Sequence, residues 1–317
     1  MKTTSILVLA MLAVFAITPS AFAGEIIAWG QDSIGAGHVV STVPAGADYV
    51  AVAAGHHHSS ALKEDGSIVS WGTDDPNGDV VSSSPTGTGF AAIAASKEHG
   101  LALRDNGSLV SWGFDGYGQV SDTPTGHDFV SIGGSFSYHS MALKSDGSIV
   151  SWGYDIVNLV SDTPTGAGYS AIAGGLAHSL ALHSDGSIVG WGQDSGGVLS
   201  SIPTGSDFVA IASGGNHGLA LTSNGSITSW GSDGYGQVSN TPTGTGFVAI
   251  AGGEDGSLAI RSDGSIASWG KDGYGIVSNT PAGTGYVGIA GSDNYNLAVT
   301  PEPAALGLLA LGGLALI

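Results

Sequence analysis

The sequence predicts an all-β fold: a seven-bladed β-propeller of roughly 40-residue repeats, its ring closed by pairing the N-terminal Trp strand with the C-terminal blade. Three observations predict it. Seven Trp-Gly pairs recur at a near-constant interval, seven alternating apolar segments are each headed by an aromatic, and the two chain ends are complementary fragments of one repeat.

The tryptophans are Trp29, Trp71, Trp112, Trp152, Trp191, Trp230 and Trp269, spaced by 42, 41, 40, 39, 39 and 39 residues. The aromatic-headed series runs YVAVAAG (49), FAAIAAS (90), FVSIGGS (129), YSAIAGG (169), FVAIASG (208), FVAIAGG (247) and YVGIAGS (286). A third element such as HSLAL (178–182) lies between them. Each alternates large and small residues at the period of a strand. Links such as EDGS (64–67), DNGS (105–108) and SDGS (145–148) join HSLAL to SIVSWG. Asp-Gly or Asn-Gly between strands signals a hairpin, and a type I′ turn is the expectation. Every copy is then an antiparallel sheet of three strands, with room for a fourth, outer strand in the VSNTP-type segments. Ala and Gly in FVAIAGG suit the strand nearest a central axis.

Sheets at this period make a propeller or an open β-solenoid. The ends decide. The chain opens on EIIAWG (25–30), a Trp strand without its partners, and finishes with YVGIAGSDNYNLAV (286–299), a blade without its Trp strand. Joined, they complete one blade and leave no long free edge. A solenoid gains nothing from such an offset.

Composition narrows the function. The formal charge is −19 with only seven Lys plus Arg, which excludes nucleic-acid binding because phosphate needs clustered cations. Absence of Cys removes disulfides, thiolate metal sites and thiol catalysis together. Residues 1–23 have one Lys, an apolar run from Ile6 to Ile17 and small Ala21 and Ala23, which is the pattern of a secretory signal peptide cleaved after Ala23. Its loss removes Lys2 and makes the remainder more acidic by one unit. Residues 24–300 form the propeller, and 301–317 an apolar tail.

The repeat VAIAGGxxHSLALxxDGSIVSWGxDxxGxV resembles that of the regulator of chromosome condensation superfamily. Its short period and Gly-Ser-Thr-rich loops resemble the bacterial branch typified by β-lactamase inhibitory protein II. The resemblance covers about 24–300 and implies the propeller fold. It permits inhibition of a secreted enzyme, whereas exchange activity on a small GTPase does not suit an exported protein. The tail, TPEPAALGLLALGGLALI (300–317), resembles a PEP-CTERM sorting signal recognised by an exosortase, with Pro301-Glu302-Pro303 followed by an apolar stretch. That family ends in a basic cluster, absent here, so the signal is expected to be truncated at Ile317. The two resemblances imply export from a Gram-negative cell, transient inner-membrane association through signal peptide and tail, and residence at the cell surface or outside it.

The repeats serve as internal controls for function. A residue present in every blade serves folding, and one confined to a single blade is the better functional candidate. The tryptophans are therefore blade core. Asp32, Asp74, Asp115, Asp155, Asp194, Asp233 and Asp272, three residues after each Trp, belong to Asx-type turns. His58, His99, His139, His178 and His217 precede the third element in five blades, with Gly256 and Tyr295 in the other two, and are structural. In GHHHSSAL (55–62) this leaves only His56 and His57 as extras.

Strand direction puts the loop before HSLAL and the loop after Trp-Gly on one face. That face carries the candidate binding residues His56, His57, Phe114, Tyr117, Phe136, Tyr138, Tyr154, Tyr235 and Tyr274. Aromatics on a rigid scaffold are protein-binding anchors. DDPNGD (74–79) sets oxygens at alternate positions, so Asp75, Asn77 and Asp79 are weak calcium candidates; an EF-hand's glycine spacing and closing Glu are missing. No cofactor is expected and no catalytic set stands out. The expectation is a monomeric, non-catalytic binding or structural protein that takes an extracellular protein or polysaccharide. The alternative is a surface enzyme acting on polysaccharide at the acidic loop face, which a cluster of His with Asp or Glu would favour.

Overall fold

The computed structural model describes residues 24–32, 38–74 and 79–300. The signal-peptide and sorting-tail expectations, at 1–23 and 301–317, lie outside the described residues.

In chain order the strands are β1 (Ile26–Gly30), β2 (Tyr49–Ala54), β3 (His58–Lys63), β4 (Ile68–Gly72), β5 (Phe90–Ala95), β6 (His99–Arg104), β7 (Leu109–Gly113), β8 (Phe129–Gly133), β9 (His139–Lys144) and β10 (Ile149–Gly153). They continue as β11 (Tyr169–Gly174), β12 (His178–His183), β13 (Ile188–Gly192), β14 (Phe208–Ser213), β15 (His217–Thr222), β16 (Ile227–Gly231), β17 (Phe247–Gly252), β18 (Gly256–Arg261), β19 (Ile266–Gly270), β20 (Gly288–Gly291) and β21 (Tyr295–Val299). They form seven three-stranded antiparallel sheets among the described residues. Six are consecutive, from β2-β3-β4 to β17-β18-β19, and are called blades 1 to 6.

Blade 7 has the order β20-β21-β1, so the first strand of the chain completes the last sheet. Ile26 pairs with Val299, Ala28 with Leu297 and Gly30 with Tyr295. The Trp strand thus takes the edge that the C-terminal hairpin lacks, and the ring closes as the chain ends predict.

The inner strands of all seven blades line one central channel of about 170 Å³, through residues such as Ala53, Ala94, Ala173, Ala212, Ala251 and Ala290. Small side chains let seven strands crowd around one axis. The outer side of each blade is a tight interface with its neighbour. Trp191 is 5% exposed, and its indole Nε1–H donates to the carbonyl of Leu159 in the preceding blade at 2.9 Å. All seven tryptophans repeat this bond, ending with Trp29 to Ile276 at 3.0 Å across the closure. The glycine after each Trp has positive φ, +98° at Gly192, where a Cβ would stand 2.7 Å from the Ala177 carbonyl oxygen. The Trp-Gly pair is therefore an inter-blade joint as well as core. Trp191→Phe leaves the buried Leu159 carbonyl without its donor and should cost about 2–4 kcal/mol, read as a lower denaturant midpoint at unchanged m-value.

The templated histidines form a second set of joints. His99, His139 and His217 are hydrogen-bonded through Nε2 to Ser140, Ser179 and Ser257 of the next blade, at 2.6, 2.9 and 2.8 Å. Tyr295, at the same position in blade 7, reaches Ser59 of blade 1 at 2.9 Å. His178 faces Gly218 at the equivalent site and bonds Ser213 at 2.8 Å instead. Blade 2 offers His58 neither hydroxyl, having Ala95 and Gly100 there, and His58 Nε2 has no partner. For four of the five histidines the structural role is a clasp between blades, and His58 is buried at the same position without that bond.

Two local expectations need correction. In the DGS hairpins only the glycine is left-handed, as at Gly66 (φ +77°), while Asp65 is not. Lys63 N–H donates to Ser67 O and Gly66 N–H to Lys63 O, leaving a three-residue loop with the glycine as a bulge rather than a type I′ turn. Asp65 Oδ1 accepts from Ser67 N–H and Oγ–H at 2.8 and 2.6 Å, which removes any need for positive φ at the aspartate. The VSNTP-type segments add no fourth strand. They form a tight turn held by the aspartate three residues after Trp: Asp233 Oδ1 accepts from Val238 and Ser239 N–H at 2.8 and 2.9 Å, and the other blades follow suit. These backbone hydrogen bonds hold the carboxyls of Asp194, Asp233 and Asp272 below the usual range.

Candidate functional site

The loop before each middle strand and the loop after each Trp-Gly meet on one face. Backbone bonds tie them together, as Phe114 N–H to Glu98 O and Tyr154 N–H to Tyr138 O, both at 3.0 Å. Four of the sequence-predicted aromatics converge there across blades 2 and 3. Ring centroids lie 5.8 Å apart for Phe114–Tyr117, 5.5 Å for Phe114–Tyr138, 4.5 Å for Tyr117–Tyr154 and 6.1 Å for Tyr138–Tyr154. Tyr117 is 47% exposed. Beneath the cluster Glu98 is buried and accepts a hydrogen bond from Tyr138 Oη at 2.8 Å, while Lys97 Nζ lies 5.0 Å from the Tyr138 ring centre.

The internal controls explain why the cluster forms only here. Two residues after Trp, blades 2 and 3 have Phe114 and Tyr154, where other blades have Thr73, Gln193, Ser232 and Lys271. Just before the templated histidine, blade 3 has Tyr138 in place of His57, Glu98, Ala177 or Asn216. Tyr117 belongs to a recurring DGYG turn, but only in blade 2 does that tyrosine find aromatic neighbours. Tyr235 and Tyr274 occupy the same turn in blades 5 and 6, stand exposed and lie apart from the cluster; Lys271 Nζ sits 5.1 Å from the Tyr235 ring centre.

His56, His57 and Phe136 sit elsewhere on the face. His56 and His57 rings lie 3.9 Å apart, and His56 Nε2 is 3.1 Å from Asp293 Oδ2. His56, Lys97, Phe136, Leu176, Glu254 and Asp293 line a cavity of about 170 Å³ at the channel mouth. The bond to Asp293 raises the His56 pKa against the opposing effect of burial. Burial works against charge on Asp293, but hydrogen bonds from His56 and Ser292 outweigh it and hold its carboxyl low. Burial, reinforced by Asp293 and Asp255, pushes Glu254 up.

Asp75 and Asn77, two of the calcium candidates, lie outside the described residues. The carbonyl of Asp79 accepts from Ser83 N–H at 2.8 Å within the local turn. No three His, Cys, Asp or Glu side chains among the described residues converge as metal ligands.

Sequence reasoning missed Ile156, Glu254 and Asp293; Lys97-Glu98-His99 is visible in the sequence as a local acid-base cluster, but the templated His99 argues against a functional role there. Ile156, 69% exposed beside Tyr154, replaces the glycine of the DGYG turn and was legible as a departure from the template. Asp293 is 237 positions from His56, and no sequence signal links the two.

A ring of seven small blades with Trp joints and His clasps defines a repeat propeller. The regulator of chromosome condensation (RCC1) repeat model matches residues 90–119 and 208–237, two segments that each run through one blade. The fold is an RCC1-type β-propeller. Prp20p of Saccharomyces cerevisiae is 18% identical at a TM-score of 0.73, covering 94% of this chain and 96% of that one. Human WBSCR16 is 18% identical at 0.66, covering 88% and 99%. The ectodomain of the Arabidopsis thaliana receptor kinase ACR4 is 19% identical at 0.63, covering 80% and 93%. Similarity at this level carries the fold. No curated protein matches the chain in sequence.

Proposed function

We propose that this chain is an exported, non-catalytic binding protein that presents its loop face to a partner macromolecule, with Phe114, Tyr117, Tyr138 and Tyr154 as the anchor. The observation that carries the reading is the convergence of these four rings from two blades. Rigid aromatics lose little conformational entropy on binding, and clustered ones make hot spots. Relatives in fold give support: Prp20p was characterised for binding to Gsp1p and histones, and yeast RCC1 (Prp20) was crystallised bound to Kap60. ACR4 uses the fold in an ectodomain. Export, a likeness to the bacterial inhibitory branch and surface sorting through a PEP-CTERM-type tail belong to the same proposal. They rest on residues 1–23, the short loop-rich repeat and residues 300–317.

The test is a pull-down from native extracellular matrix with the wild type and with Tyr117→Ala/Tyr154→Ala. The wild type should retain a protein or glycan that the variant releases, at a loss of about 10-fold or more in affinity. Equal retention, or none by either, overturns the reading.

One observation favours the enzymatic alternative: His56, Asp293 and Glu254 gather at the channel mouth with shifts in both directions, the arrangement of a proton-transfer site. Cleavage of a polysaccharide by the wild type but not by His56→Ala would establish it.

A further inference from the structure

We propose that the aromatic cluster takes a basic segment of a partner protein, whose Lys or Arg side chains stack on Tyr117 and Tyr154 within the anionic field of the loop face. This rests on the reading of that face as a binding surface and names the chemistry of what it binds.

The molecule shows the preference in its own cations. Residues 24–300 contain six Lys and Arg, and every one lies over an aromatic ring. On the hairpin face Lys63, Arg104, Lys144 and Arg261 stack on Tyr49, Phe90, Phe129 and Phe247, at 5.3, 4.3, 5.5 and 4.2 Å from the ring centres. On the loop face Lys97 and Lys271 lie over Tyr138 and Tyr235. A cation over an aromatic face is attracted by the ring quadrupole, and more strongly where water is partly excluded.

With all six placed, none of the described cations lies over Tyr117 or Tyr154. Those two rings lie 4.5 Å apart, and Tyr117 is half exposed. Asp115 and Asp155 flank them, exposed and held in the charged form: burial is the largest single effect and opposes that charge, but the backbone N–H groups and serine hydroxyls of the turns together outweigh it. Glu98 lies beneath. Among the described residues Lys97 and Lys271 are the only Lys or Arg side chains on this face, and Lys271 is paired with Asp255 at 2.9 Å. Against a formal charge of −19 the complementary occupant is cationic. A glycan would use the same rings through stacking and hydroxyl bonds, without regard to charge.

Titration of the full chain with a fluorescein-labelled Gly-Arg repeat peptide, beside a matched Gly-Gln repeat, separates these cases. The Arg peptide should bind at least ~10-fold tighter than the Gln peptide and weaken as salt rises. Tyr117→Ala/Tyr154→Ala should lose about 10-fold, while Tyr117→Phe/Tyr154→Phe, which keeps the rings, should retain most of the affinity. Equal affinity for the two peptides overturns the proposal. So does Arg-peptide binding that survives the Ala pair, which would be attraction to the acidic surface alone. Loss in the Phe pair equal to the Ala pair also overturns it, because hydroxyl recognition would then be the cause. In each case a Tyr-dependent partner retained in the matrix pull-down would leave the binding reading standing.

Discussion

A variant lacking residues 24–30 should lose most of the stability of the ring. The deletion removes β1, and with it the edge of blade 7, the near-buried Trp29 and Ile26, and the Trp29–Ile276 bond across the closure. Loss of one buried Trp alone costs about 3–5 kcal/mol. Adding the paired backbone and Ile26 makes about 5 kcal/mol or more, comparable with the whole stability of an ordinary domain. The expected result in chemical denaturation is a large fall in midpoint, with a second, lower transition as blades next to the open end unfold before the rest. The exposed β21 edge should also promote self-association, visible in sedimentation. A peptide GEIIAWG added in excess should restore part of the midpoint. An unchanged, single transition would mean that closure contributes nothing.

The second large effect is acid sensitivity between about pH 6.5 and 4. Burial lowers the pKa of His99 and His139 to about 3 and of His58, His178 and His217 to about 4. An unfolded chain protonates these rings near pH 6.5. Because the folded values are depressed, the unfolded state binds more protons in that window, and stability present above pH 6.5 is lost as pH falls. At pH 5 each histidine removes about 2 kcal/mol, roughly 10 kcal/mol in all. His56 has the opposite sign: its raised folded pKa adds stability below the unfolded value, one group against five. The turn aspartates, with lowered values, act only below about pH 4. Urea midpoints measured from pH 7.5 down to 4.5 should therefore fall steeply, and His139→Gln/His178→Gln should remove about two fifths of the slope while keeping a donor for Ser179 and Ser213. A flat profile across that range would contradict the neutral, buried clasp.

Much of this was legible because the repeats check one another. A Trp that recurs in every blade must serve every blade, and complementary ends leave few alternatives to a closed ring. The structural reading of His58, which leaves only His56 and His57 of GHHHSSAL as functional candidates, follows from four other copies. What the chain did not disclose depends on geometry between blades. Phe114 and Tyr138 are 24 positions apart, and their contact depends on how neighbouring sheets are rotated about the axis. The DGS turn was misassigned because Asp-Gly serves both the two-residue turn and the three-residue loop. The Ser that follows at 67, accepted by Asp65, was the available clue.

The clasp has a consequence for how such a ring can be rebuilt. Each histidine belongs to one repeat and its hydroxyl to the next, so the inheritable unit is the joint and not the blade. A blade moved to a new place would carry half of two unmatched pairs. His58 beside Gly100 is already such a mismatch, with an imidazole nitrogen left unpartnered. Ser59 beneath Tyr295 is a matched pair written differently. Duplication alone therefore does not make a good neighbour; two adjacent copies must be edited together.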